Sequence, residues 1–221
     1  MRTLTKIVAT DGHRLSAYFS RPKGVAKGAI IIVQEIFGLT EQLCELADQY
    51  AAAGYSCIVP ALFDRITDDN VIAYDQAEKG LALVKQCDEQ HILSDIQGAM
   101  NVLEEDNISI IGFCWGGGIA YLAASELQLQ SGIAYYGTRL TSYLPRTPQC
   151  PFQFHFVESD THTPIDVIRQ MQQANPDAEC YIYKNATHGF ANHHKLSFDL
   201  NATELAKQRA FSLIQGSSVT K

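Results

Sequence analysis

Ile108-Ser109-Ile110-Ile111-Gly112-Phe113-Cys114-Trp115-Gly116-Gly117-Gly118 runs from β-branched residues into a cluster of glycines around one cysteine. The apolar run reads as a short buried strand. Ile119, Leu122, Ala123 and Leu127 after it read as one face of a helix. Between the two, Gly-x-Cys-x-Gly-Gly places Cys114 where a strand turns sharply into a helix, the layout of a nucleophile elbow with Cys in the usual place of Ser. The small neighbours are needed because such a turn leaves no room for a Cβ on either side. The N-terminus of the following helix favours negative charge at the sulfur.

Downstream of the elbow the same strand-then-helix grammar repeats. Gly132 to Tyr136 is a strand whose end, Tyr135-Tyr136-Gly137, reaches the same rim as Cys114. Phe152 to Val157 is the next strand and leads into Glu158-Ser159-Asp160-Thr161-His162-Thr163-Pro164. Thr163-Pro164 predicts a helix with Thr at the N-cap and Pro at its first position, so Asp160 falls on a strand-to-helix loop. Cys180 to Tyr183 is the last strand, and His188 follows on the next loop of that rim. A final helix is expected over about 200–214, with Leu205, Phe211 and Ile214 inward, and a polar tail from Gly216.

Upstream, residues 4–9 and 14–20 alternate as two strands, and Asp11-Gly12 between them is a hairpin turn signal. Gly28 to Val33 is continuously apolar, as a parallel strand buried on both faces is. Gln34-Glu35-Ile36-Phe37-Gly38-Leu39 follows it, which puts the Glu35 carboxylate at the carboxyl end of that strand, where open α/β sheets carry their sites. Thr40 is a candidate cap for a helix with Leu43, Leu46, Ala47, Tyr50 and Ala51 inward, ended by Gly54, and Tyr55 to Val59 is the next strand. Two helices are expected before the elbow strand: 71–86, with Ile72, Leu81 and Val84 inward, and about 92–105. Residues 61–90 therefore exceed a simple crossover and can partly cover a site. Phe63, Arg65 and Tyr74 are its candidate substrate contacts.

The 221 residues suit one α/β domain spanning 1–221. A net charge of −7 with no basic patch speaks against a nucleic-acid partner. The six cysteines form no C-x-x-C pair and mostly stand in apolar stretches, which fits a reducing compartment and not a disulfide framework. Met1 to Lys6 lacks the apolar stretch of a signal peptide, and no run approaches a membrane span, so the expected location is the cytoplasm without a membrane partner.

The chemistry these positions predict is nucleophilic. Cys114 attacks an acyl carbon, His188 moves the proton and Asp160 holds the imidazole tautomer, in the chain order nucleophile, acid, histidine. The backbone N–H of Trp115 is one expected oxyanion donor and that of Ile36 the second. Asp166 and Asp177 are rivals for Asp160, one inside a helix and one beside Pro176. His155 is mid-strand, His162 stands only two residues beyond Asp160, and His193 and His194 read as exposed loop. The histidine pair has no metal-ligand spacing, so no metal site is expected. No phosphate-binding loop or dinucleotide fingerprint is present.

Gln34-Glu35-Ile36-Phe37-Gly38, Gly112-Phe113-Cys114-Trp115-Gly116-Gly117, Ser159-Asp160 and Ala186-Thr187-His188-Gly189-Phe190 together resemble the dienelactone hydrolase family, over about residues 5–214. The resemblance implies an α/β-hydrolase fold: a mostly parallel sheet opened by an antiparallel hairpin, with helices on both faces. It also implies a Cys-His-Asp triad, no metal or organic cofactor, and a monomer. For Glu35 it implies a pairing with the resting thiol, whose proton Glu35 takes when substrate binds; such late activation shields Cys114 from oxidation. Phe37, Arg65, Tyr74, Tyr136 and Asn192 are the implied or candidate substrate contacts.

The chain departs from the family at one place. Members that cleave dienelactone hold the substrate carboxylate with two arginines. Asn192 stands where one is expected, four residues after His188, and the other has no counterpart before residues 78–86. Arg65 or Lys79 could substitute. Arg is the natural bidentate partner of a carboxylate and Asn is not. The expectation is an ester or lactone hydrolase acting on a small molecule through an acyl-cysteine, with dienelactone itself a doubtful substrate. Acyl transfer by the same triad is a competing reading. A non-catalytic small-molecule binder or a cysteine-based sensor on the same scaffold is another.

Overall fold

The computed structural model describes residues 4–216. The polar tail expected after Gly216 lies outside the described residues. Eight strands, β1 (Thr5–Val8), β2 (Arg14–Ser20), β3 (Ala29–Val33), β4 (Ser56–Pro60), β5 (Ile108–Phe113), β6 (Ser131–Tyr135), β7 (Phe152–Val157) and β8 (Glu179–Tyr183), form one sheet in the order β1-β2-β4-β3-β5-β6-β7-β8. The helices are α1 (Glu41–Ala52), α2 (Ala77–Val84), α3 (Glu89–Asn101), α4 (Trp115–Glu126), α5 (Ile165–Ala174) and α6 (Leu200–Ile214). This is a mostly parallel α/β-hydrolase sheet opened by an antiparallel hairpin. The chain divides into two compact units, Met1–Ser109 and Ile110–Lys221.

In the first unit β1 pairs antiparallel with β2, Thr5 opposite Ala17, and β2 pairs antiparallel with β4. β3 and β4 run parallel, and every residue of both is buried, as strands covered on both faces must be. Thr40 occupies the N-cap of α1, yet its side chain makes no cap bond; its carbonyl accepts from Leu43 and Cys44 N–H. The helix expected over 71–86 is shorter and begins only at Ala77. Val71 forms a bridge with Gly38, and Ile72 N–H donates to the Phe37 carbonyl at 2.9 Å. That backbone pairs with the Glu35–Leu39 loop and so is not available to a helix. Leu81, expected inward, is 49% exposed and Leu83 is buried in its place, while Ile72 and Val84 are buried as expected. α3 starts at Glu89, three residues before its expected start, because the Asp88 carboxylate caps it by accepting from Gln90 and His91 N–H. It ends at Asn101, so buried Leu103 lies beyond the helix.

In the second unit β6, β7 and β8 are parallel, with Tyr135, His155 and Tyr181 in register. Their rings continue a stack that starts at Phe113: 4.8 Å to Tyr135, 4.6 Å from Tyr135 to His155, and 5.5 Å from His155 to Tyr181. α4 is buried at every position from Trp115 to Ser125, so it is a core helix and not an amphipathic one; Leu127 is its C-cap. α5 begins one residue later than expected, with Pro164 at its N-cap. The Thr163 hydroxyl does not cap it but donates to the Gly137 carbonyl at 2.8 Å, tying the loop after β7 to the loop after β6. In α6 the buried side chains are Ala206, Ala210 and Ile214, whereas Leu205 is 43% exposed.

Candidate active site

Cys114 stands between β5 and α4 with φ 54° and ψ −118°, a conformation an L-residue adopts only when its surroundings impose it. Three backbone bonds impose it here. Cys114 N–H donates to the Tyr135 carbonyl, and the Cys114 carbonyl accepts from Gly117 N–H and Thr138 N–H, each at 3.0 Å. A Cβ at Gly112 would lie 1.8 Å from the Gly116 carbonyl oxygen, so strand and helix approach as closely as the Gly-x-Cys-x-Gly spacing required. Trp115, the first residue of α4, is buried, and its N–H belongs to the first turn, where no helix carbonyl precedes it.

His188 and Asp160 come from the loops after β8 and β7. His188 Nδ1 and Asp160 Oδ2 are 2.7 Å apart, and the second carboxylate oxygen accepts from His162 N–H at 2.8 Å. Gly189 directly after His188 has φ 86°, which turns the chain so that Phe190 N–H reaches the Thr187 carbonyl. Burial pushes the His188 imidazole towards its neutral form, but hydrogen bonds that it donates to Asp160 and the Cys114 sulfur outweigh it and raise its pKa to about 10. Burial likewise opposes ionisation of Asp160, and the bond to His188 outweighs it, so this carboxyl lies below its ordinary value. Sulfur, imidazole and carboxylate thus form one chain in which a proton can move from the thiol to a histidine whose tautomer the acid fixes.

Two aromatic rings press on His188. Tyr136, buried and itself in a left-handed conformation with φ 38°, stands edge-on to it at 5.0 Å. The centre of the His162 ring is 4.6 Å from that of His188. Sequence reasoning treated His162 only as a competitor for the catalytic histidine; its place two residues after Asp160 on the same loop was the available signal. Asn192 is buried, and its side-chain oxygen accepts from His194 N–H at 3.0 Å, so it shapes its own turn. His193 and His194 are exposed, with ring centres 4.5 Å apart. Asp166 pairs with Arg169 on the surface of α5, and His155 is enclosed in β7 between Tyr183 and Gln153.

The candidates of the first unit have their own surroundings. Glu35 is 3% exposed and Ile36 half-buried at the end of β3. Phe37 is buried, and the half-buried Tyr74 meets its ring edge-on at 4.9 Å. Phe63 is fully buried. The substrate role expected of Arg65 meets a competing claim. Its Nε bonds both Asp95 oxygens at 3.1–3.2 Å, and its Nη2 reaches Asp95 at 2.8 Å and Asp11 at 2.8–2.9 Å. A guanidinium shared by two carboxylates has few donors left for a substrate. Lys79 is paired with Asp69 at 2.6 Å. All six cysteines are free thiols, and no helix among the described residues is long and apolar enough to cross a membrane.

Comparison with known proteins gives the same family as the motifs. The pattern of the dienelactone hydrolase family matches residues 15–218. A carboxymethylenebutenolidase of Pseudomonas putida is 25% identical over 221 residues, covering 94% of both chains. Carboxymethylenebutenolidase 1 of Cupriavidus pinatubonensis is 26% identical over 224 residues, covering 95% of this chain and 94% of its own. Among solved structures, one from Klebsiella pneumoniae subsp. pneumoniae superposes with a TM-score of 0.80 at 27% identity, covering 96% of this chain and 99% of that one. A dienelactone hydrolase-like promiscuous phosphotriesterase from metagenomic libraries superposes at 0.79 with 18% identity, covering 97% and 98%, a likeness of fold alone.

Proposed function

This chain belongs to the dienelactone hydrolase family and is a hydrolase of ester or lactone bonds, and we propose that it works through an acyl-cysteine intermediate formed on Cys114. The observation that carries the reading is the hydrogen-bonded sequence Cys114, His188, Asp160, with 2.7 Å between His188 Nδ1 and Asp160 Oδ2. The Cys114 sulfur attacks the acyl carbon. The C–S bond forms as the carbonyl electron pair moves to oxygen, and the Trp115 N–H at the start of α4 is the assigned donor to that oxyanion. Collapse expels the alkoxide oxygen, which takes the proton held by His188. Water then attacks the thioester with His188 as base, and the sulfur leaves. A lactone opens to a hydroxy acid by the same steps.

The family resemblance implies that Glu35 takes the resting thiol proton; His188, whose raised pKa keeps it protonated, then supplies a proton of its own to the leaving oxygen. Glu35→Gln is expected to change the alkylation rate of Cys114 more than it changes stability. The substrate is a small ester or lactone. The engaged side chains of Arg65 and Asn192 favour one other than dienelactone. The free thiols suit a cytoplasmic enzyme and the acidic charge one that does not bind nucleic acid, and the family resemblance implies a monomer.

The test is hydrolysis of an activated aryl ester and of cis- and trans-dienelactone by the wild type and by Cys114→Ala. Ester cleavage lost in the variant, with dienelactone untouched by either, is the expected result. Equal ester turnover in both proteins would overturn the acyl-cysteine route.

A further inference from the structure

Asp160 and His188 follow the carboxyl ends of β7 and β8. At the amino ends of the same two strands, residues 147–152 and 174–178 line a cavity of about 470 Å³ that the mechanism does not use. That volume is in the range of small-molecule sites. Asp177, which the sequence offers as a rival to Asp160, stands in this wall, at the far end of the strands. We propose that the cavity binds a small organic cation, a primary alkylammonium whose hydrocarbon body lies against the prolines and whose charge meets Asp177. This site stands apart from the reading of Cys114 given above, because none of the candidate catalytic residues lines it.

The wall is rich in acceptors and poor in donors. Pro148, Pro151 and Pro176 present three rings without a backbone N–H. The backbone N–H groups of Gln149, Asn175 and Ala178 are engaged by the carbonyls of Ala124, Met171 and Asn175. Both side-chain amides are engaged too: Gln149 Nε2 donates to the Ser125 carbonyl at 2.7 Å, and Asn175 Nδ2 to the Met171 carbonyl at 2.8 Å. Asn175 Oδ1 accepts from the buried Tyr121 hydroxyl at 3.1 Å, which holds that part of the wall in place. The Thr147 hydroxyl accepts as readily as it donates. No Lys, Arg or His lines the cavity among the described residues. Two features supply negative charge. Asp177 is an exposed carboxylate with no ion pair among the described residues. α5 ends at Ala174, in the wall, and the last carbonyls of a helix lack partners within it and carry partial negative charge. An anion is repelled by such a site and finds few donors in it. An ammonium group brings both the charge and the donors, and an aliphatic chain buries against proline and alanine side chains.

Cys150 reports occupancy. It lines the cavity as a half-buried free thiol whose pKa burial pushes up to about 11. Cys180 in β8 is half-buried with its pKa likewise pushed up to about 11, but it does not line the cavity. The experiment follows modification of each cysteine by methyl methanethiosulfonate near pH 9, read by mass spectrometry, where thiolate is available and an alkylammonium keeps its charge. Hexylammonium, hexan-1-ol and hexanoate are compared on the full-length protein. With a Kd on the order of 1 mM, hexylammonium at about 10 mM is expected to slow Cys150 about tenfold and to leave Cys180 unchanged. The alcohol and the carboxylate should slow Cys150 less than about twofold, and Asp177→Asn should cut the hexylammonium shielding to about a third. Equal shielding by ammonium and alcohol would overturn the proposal, since the cavity would then be an apolar crevice without charge selection. Shielding that Asp177→Asn leaves intact, equal slowing of Cys180, or no saturable shielding at all would overturn it as well. The comparison of the three ligands uses the wild type alone, so it stands whether or not the variant folds.

Discussion

In the first unit, Asp95 is 1% exposed and accepts from the Arg65 guanidinium, which also reaches Asp11. In the second, Asp160 is equally enclosed and accepts from His188, which also meets Cys114. Both clusters are a buried carboxylate, a nitrogen base and a third group. They differ in the base. Burial would favour a neutral guanidinium, yet the hydrogen bonds that Arg65 donates to Asp95 and Asp11 hold it protonated, above even its own high range. Its proton never moves, so the cluster can only brace the fold. The imidazole of His188 has a proton that a neighbouring sulfur can lend or reclaim. On the proposed function, the same acid therefore serves structure beside arginine and chemistry beside histidine.

The comparison can be broken most directly at the thiol. Cys114→Ala is expected to lower ester turnover by about 10⁴ or more with an unchanged melting temperature, because it removes the group that distinguishes the second cluster. Asp160→Asn should lower kcat by roughly 10²–10⁴ by releasing the tautomer, whereas Asp95→Asn should leave kcat alone. If both Asn variants lowered kcat alike, the division of roles would be wrong. Arg65→Met should cost about 3 kcal/mol in denaturant unfolding by stranding the Asp95 carboxylate, with kcat and KM within twofold of wild type. A simultaneous large rise in KM would return Arg65 to the substrate site.

His155 sharpens the contrast as an imidazole bonded to neutral groups: it bonds Tyr183 and Gln153 and stacks on Tyr135. Burial, aided by Arg209, pushes its pKa down to about 3. The unfolded chain binds this proton below about pH 6.5 and the folded chain does not, so its contribution to stability is lost as pH falls. By pH 5 the loss is about 2 kcal/mol relative to pH 8, and His155→Gln should show a correspondingly flatter pH dependence of the urea midpoint. The smallest effect is expected at a helix end: Asp88→Ala removes the cap of α3 and should cost about 1 kcal/mol without touching activity.

Strand positions were legible because the buried strands are continuous apolar runs with turn residues at both ends. Ile108–Phe113, Ala29–Val33 and Phe152–Val157 fall within a residue of their expected bounds. Helix ends were less so. Asp88 starts α3 early through a local cap that competes with the apolar period, and the pairing of Val71 and Ile72 with residues 37–38 shortens α2 through contacts more than thirty residues away in sequence. The inward faces of α2 and α6 were misread at Leu81 and Leu205 because small side chains, Gly80 in one and Ala206 and Ala210 in the other, do the close packing and leave the leucines outside.

Order and spacing alone picked out Cys114, Asp160 and His188 as candidates, since an elbow glycine pattern and two rim loops are local features that each segment carries by itself. What those residues face is not local. That Arg65 is shared by two carboxylates, that Asn192 turns back on its own loop, and that His162 stands against His188 all depend on where separate loops meet. The sequence by itself determined the strand grammar and the candidate nucleophile, acid and histidine in their order, because periodicity and turn chemistry act over a few residues. Only the tertiary structure decided which charges are occupied and which remain mobile, because hydrogen bonding and desolvation depend on distances that no short stretch of chain encodes.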